Sequence, residues 1–142
     1  MLKVMFLCTA NSCRSQMAEG WARELGRAVL EPYSAGLIAV GVNPRTIAVM
    51  REVGIDISGQ KSKEIDRNLL MQMDFVITLC GHAEAACPQT PPNIGRLHWP
   101  INDPVGTKGT DAMIMKEFRR ARDEIRGHIT EFIRDLIRSG KA

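Results

Sequence analysis

Val4-Met5-Phe6-Leu7-Cys8-Thr9-Ala10-Asn11-Ser12-Cys13-Arg14-Ser15-Gln16-Met17-Ala18 joins three kinds of local structure end to end. Residues 4–7 form a short apolar run, the pattern of a buried parallel strand. Residues 8–15 are polar and turn-rich. After them Met17, Ala18, Trp21, Ala22 and Leu25 fall at helical spacing, and Gly26 supplies a stop. A loop wrapped between a strand end and a helix start turns successive backbone N–H groups into one concavity, to which the helix dipole adds partial positive charge. Anions bind in such a nest, and the same field favours a thiolate. Cys8 is therefore expected to be a nucleophile, with Thr9, Ala10, Asn11, Ser12, Cys13 and Arg14 forming an oxyanion-binding loop. Arg14 offers a planar fork suited to two oxygens of a tetrahedral oxyanion. Ser15 is placed to donate its hydroxyl toward Cys8, and Asn11 to adopt a left-handed backbone and brace the loop.

Outward from this stretch, strands and helices alternate. A second strand is expected over residues 28–33, broken by Pro32 and ended by Ser34-Ala35-Gly36. Pro44 opens a helix that reaches Val53 before Gly54, and residues 65–73 suggest another. Residues 75–79 read as a strand delivering Cys80, and residues 96–99 as a fourth strand ahead of Pro100. Ile114, Phe118, Ala121, Ile125, Ile129, Phe132, Leu136 and Ile137 recur at steps of three and four, so the last segment is one long amphipathic helix. The expected fold is a three-layer α/β/α arrangement on a four-stranded, mostly parallel sheet, with its ligand beyond the C-terminal strand ends. Cys8, Cys80 and the loop after Trp99 would all emerge there.

The 142 residues fit a single domain, residues 1–142. The net charge is only +3, and basic residues interleave with acids, most densely over residues 116–138, which read as a solvated helix face. No nucleic-acid partner is expected. The N-terminal apolar run is too short for a signal peptide, and no run approaches the roughly 20 residues needed to span a bilayer, so a cytoplasmic protein without membrane contact is expected. Four cysteines in that compartment point to catalysis, redox chemistry or metal rather than structural disulfides. With His82 and His98, Cys80 and Cys87 would make an irregular zinc set lacking a CxxC pair, so no metal is assigned.

The loop, together with Asp103-Pro104 downstream, resembles the signature of the low-molecular-weight protein tyrosine phosphatase fold across nearly the whole chain. Thr78-Leu79-Cys80 and Cys87-Pro88, with Cys8-Thr9 and the run from Ser12 through Trp21, are similar to its thioredoxin-coupled arsenate reductase branch. The resemblance implies a relay without a cofactor. Cys8 attacks arsenate held by the loop and Arg14, and Asp103 protonates the departing hydroxyl. Cys80 then attacks Cys8, Cys87 resolves that disulfide, and thioredoxin reduces the final Cys80–Cys87 pair. Phosphate or sulfate would occupy the same loop, and a monomer is expected. Cys13 has no step and is read as packing. The phosphatase branch usually grips its substrate with aromatics after the Asp-Pro, whereas the sole tyrosine here is Tyr33. A phosphatase, or a redox module that binds thioredoxin without turnover, are the alternatives.

If strands one and three are neighbours, Cys8 and Cys80 leave the sheet about 5 Å apart in the hydrogen-bonding direction, which is compatible with a disulfide. A helical segment between Cys80 and Cys87 would separate their Cα atoms by roughly 10 Å, beyond the limit of about 7 Å, so that segment must unwind on oxidation. Some arsenate reductases of this group hold a potassium ion near the loop with an asparagine, a glutamate, a serine and an aspartate. Asn11, Glu19 and Ser34 match the first three, but Lys63 stands for the aspartate. The expectation is therefore no potassium site, with Lys63 bracing Asn11 or Glu19.

Overall fold

The computed structural model describes residues 1–142. Its four parallel strands, β1 (Leu2–Cys8), β2 (Leu30–Gly36), β3 (Phe75–Thr78) and β4 (Gly95–His98), lie in the order β2-β1-β3-β4. Val4 through Cys8 are all buried, so both faces of the central strand are covered, as its unbroken apolar run requires. Helices α1 (Arg14–Leu25), α2 (Pro44–Glu52) and α5 (Asp111–Arg138) pack on one another, and α4 (Gly81–Ala86) lies against β1 and β3. The result is the three-layer α/β/α fold.

Two segments differ from their sequence reading. The second strand is shifted to Leu30–Gly36 and contains Pro32 rather than breaking there. It is an edge strand whose one partner strand is β1, and such a strand tolerates proline when the missing N–H would face away from the sheet. The helix expected over residues 65–73 shrinks to α3 (Arg67–Leu70). Glu64 instead bridges Gly36, Ile65 N–H donates to Gly36 at 3.1 Å, and the Asp66 carboxylate then caps the short helix. The extra pairing extends the sheet edge toward the loop after β1.

The charged run on α5 is mostly solvated, but Arg122 is buried. Its guanidinium donates to Glu52 (2.9 Å), to Asp123 (2.7 Å) and to the Val49 carbonyl (3.0 Å), tying α5 to α2. Arg119 adds a two-pronged contact to Glu52, and these partners pull the Glu52 carboxyl down to about 2, Arg119 contributing most. A depressed carboxylate stabilises the fold above its unfolded value, near 4.5, and that contribution disappears as pH falls through about 2. Glu52→Gln is expected to lower Tm by about 2–4 °C at neutral pH. The difference from the parent should shrink in melting curves taken between pH 4.5 and 2.

Candidate active site

The loop after β1 is shaped by what its carbonyls do. Thr9, Ala10 and Ser12 carbonyls accept from Ile38, Val40 and Asn43 N–H groups at 3.1, 3.3 and 3.0 Å, so they face outward and leave the amide edge of the loop for the concavity. Helix α1 begins at Arg14 with no side-chain cap and no acid in its first turn. Its first N–H groups are thus available to an anion. Gly36 makes the close passage possible, since a Cβ there would lie 2.6 Å from both Asn11 N and Ile38 O, which are main-chain atoms.

Asn11 has φ 48°, the left-handed conformation expected of it. Its amide orientation follows from its neighbours. A backbone N–H only donates, and Lys63 N–H approaches one amide atom at 2.8 Å, so that atom is Oδ1 and Nδ2 faces Ser15 Oγ at 2.7 Å. Ser15 therefore accepts from Asn11 and lies 2.8 Å from Cys8 Sγ. A Cys8 thiolate only accepts, so in that form it takes the Ser15 proton.

Arg14 is buried, with Nη1 donating to the Ile101 carbonyl at 2.8 Å and Nη2 3.6 Å from Asp103 Oδ2. Ile101 is itself anchored by donating its N–H to Leu79 at 3.1 Å, so the loop after β4 fixes the arginine. Asp103 divides its two oxygens. Oδ1 accepts from Val105 N–H at 3.0 Å and caps the turn Pro104–Gly106, while Oδ2 faces Arg14.

Cys8 and Cys80 line one cavity of about 510 Å³ with Thr9, Ser12, Arg14 and Asp103. Strands β1 and β3 are neighbours, and the Thr9 hydroxyl lies 3.2 Å from Cys80 Sγ. Ala10 and Cys13 also reach this cavity, as do His82, Val40 and Val105. Cys87 does not line it. Cys80 caps the N-terminus of α4 and Cys87 its C-terminus, which puts a full helical segment between them. Burial pushes the Cys87 thiol above its usual value, with Glu84 adding to the rise and Arg96 opposing it. Burial also raises Cys13, to about 11, so it remains a thiol at neutral pH. All four cysteines are unbridged.

The sequence reading overlooked Gln16 and Gln60. Gln16 is fully buried behind the loop and donates to Asn11 O and to Lys61 O, while Gln60 donates to Gln16 Oε1 at 2.8 Å. A glutamine at the start of a helix gives no local sign of this role. Of the two residues named for it, the Lys63 charge lies by Glu19, with Nζ 3.8 Å from Oε1, whereas Asn11 is held by the Lys63 main-chain N–H. Ser34 also donates to that Glu19 oxygen at 2.6 Å. An ammonium group so placed does not fit a bound potassium ion.

The family model for low molecular weight phosphotyrosine protein phosphatase matches residues 3–142. An arsenate reductase of Halalkalibacterium halodurans is 52% identical over 129 residues, 91% of this chain and 93% of its own. A solved arsenate reductase in the phosphate binding state shares 38% identity with a TM-score of 0.79, covering 96% of this chain and 99% of that one. The thioredoxin-dependent arsenate reductase of Corynebacterium glutamicum is 26% identical with a TM-score of 0.79, covering 98% of this chain and 63% of that one. In sequence and in fold alike, the chain belongs to the low-molecular-weight phosphotyrosine protein phosphatase family, beside those members that are named arsenate reductases.

Proposed function

We propose that this protein reduces arsenate to arsenite through Cys8, Cys80 and Cys87 and is reset by thioredoxin. The observation that carries the reading is the second thiol, Cys80, in the cavity that holds Cys8, Arg14 and Asp103. Ester hydrolysis needs a nucleophile, an anion clamp and an acid; it has no use for Cys80. The relatives named arsenate reductase add to that support.

Arsenate enters the loop and is held by backbone N–H groups and the Arg14 fork. Cys8 thiolate bonds to arsenic, and a hydroxyl leaves as water with a proton from Asp103. Cys80 thiolate then attacks Cys8 sulfur. The sulfur–arsenic bonding pair stays on arsenic, which falls from the +5 to the +3 state and departs as arsenite. A Cys8–Cys80 disulfide remains. Cys87 thiolate attacks Cys80, α4 unwinds, and Cys8 is released as a thiolate. Thioredoxin returns two electrons to the Cys80–Cys87 disulfide. The active protein is a cytoplasmic monomer of one domain.

Adding arsenate to the protein with thioredoxin, its reductase and NADPH tests this directly. Arsenate-dependent NADPH oxidation is expected, together with weak release of product from an aryl phosphate, since the loop, Arg14 and Asp103 suffice for hydrolysis. Hydrolysis without arsenate-dependent oxidation would overturn the reading in favour of a phosphatase. Because Lys63 supplies the charge beside Glu19, potassium at equal ionic strength should change neither rate nor Tm relative to sodium. A potassium-specific rise in either would contradict that role.

A further inference from the structure

The helix that must open in this relay is held to the sheet by few contacts. α4 has six residues, of which only Ala83 is buried. A helix of that length does not persist on its own. Its other attachment is polar and comes from one side chain, Glu84. The Thr78 hydroxyl of β3 donates to Glu84 Oε2, His98 Nδ1 of β4 lies 3.8 Å from the same oxygen, and Arg96 Nη2 of β4 lies 3.7 Å from Oε1.

The proton order in this cluster is fixed by its chemistry. Thr78 has one hydroxyl proton, and the carboxylate only accepts, so the proton goes to Glu84. The Thr78 oxygen, 2.9 Å from His98 Nδ1, then accepts from the histidine, which carries a proton on that nitrogen. One donor, Thr78, with His98 behind it and the Arg96 cation beside it, thus holds one carboxylate of the mobile element from two strands. Thr78 is fully buried, and the β3 and β4 positions are paired in register, so this side of the contact is rigid.

We propose that Glu84 is a positioning residue that latches α4 in its wound form against Thr78, His98 and Arg96, and so sets how readily Cys80 and Cys87 join. This rests on the relay proposed above. Closing the disulfide separates Glu84 from Thr78 and Arg96, so the latch stabilises only the dithiol form. Its removal favours the disulfide.

The test is a redox titration of the full chain in a Cys8→Ser background, which removes the competing Cys8–Cys80 pair. Cys80 and Cys87 give two electrons and two protons to oxidised glutathione, leaving one Cys80–Cys87 bond and two glutathione thiols. Mass mapping of digests measures that bond. Glu84→Ala is expected to raise the equilibrium constant for the disulfide about tenfold, which lowers the potential by about 30 mV. Glu84→Gln keeps an acceptor for Thr78 without the charge, and is expected to raise it about threefold. Amide exchange over residues 81–87 of the reduced protein should quicken in the same order. A contact that merely supports the fold would lower Tm in both redox forms and leave the constant alone. An unchanged constant in both variants would overturn the latch while sparing the relay. Failure of the background protein to form any Cys80–Cys87 bond would overturn both.

Discussion

Replacing Cys87 by serine should leave a protein that makes one arsenite and stops. Cys8 and Cys80 share the cavity, so the first two thiol steps do not need Cys87. Once Cys8 and Cys80 are joined, no thiolate is left to break the bond: Cys13 also reaches the cavity but is raised to about 11 and stays protonated, and a serine hydroxyl does not undergo thiol–disulfide exchange. Cys80 is buried at the N-terminus of α4, where an external dithiol has poor access. Steady-state turnover with thioredoxin is expected to fall roughly a thousandfold or more, after a burst of about one arsenite per chain. Mapping of digests should recover Cys8 bonded to Cys80. Sustained turnover by this variant would mean that Cys87 carries no step.

Arg14→Lys should be almost as damaging, for a reason that charge alone does not capture. Arg14 donates Nη1 to Ile101 O at 2.8 Å and presents Nη2 toward Asp103, so one planar group both anchors the loop after β4 and faces the cavity. An ammonium is a single point with rotatable donors. It cannot satisfy Ile101 and hold two oxygens of the anion at once. Loss of an anion-stabilising donor of this kind typically lowers the rate by about 10²–10³, and a fall of that size in kcat/KM for arsenate is expected. Initial rates over a range of arsenate concentrations measure it. Retention of kcat/KM within a factor of about three would show that the guanidinium fork is not used.

Both expectations depend on residues whose local context was plain in the chain. The run from Val4 to Ala18 already contained a strand, an anion nest and a helix start, and Asn11 adopts the backbone its residue type favours. Cys80 shares the cavity with Cys8 because β1 and β3 are neighbours, the condition that chain order alone left open. What the chain did not disclose was contact across long separations. Gln60 reaches Gln16 over 44 residues, and Arg122 reaches the Val49 carbonyl over 73, with no periodic signal in either segment. Glu84 sat on a short helix like any solvated acid, and only the pairing of β3 with β4 brings Thr78 and His98 to it. Asp103 looked like either a catalytic acid or a turn cap. Its Oδ1 makes the turn cap, and its Oδ2 faces Arg14 on the wall of the cavity.

The relay can be tested most directly without thioredoxin. Arsenate reduction takes two electrons, and one dithiol supplies two. Reduced wild-type protein mixed with excess arsenate should therefore yield about one arsenite per chain and a single disulfide, joining Cys80 to Cys87, with Cys8 again free. Arsenite release without that disulfide, or no arsenite at all, would contradict the three-thiol mechanism.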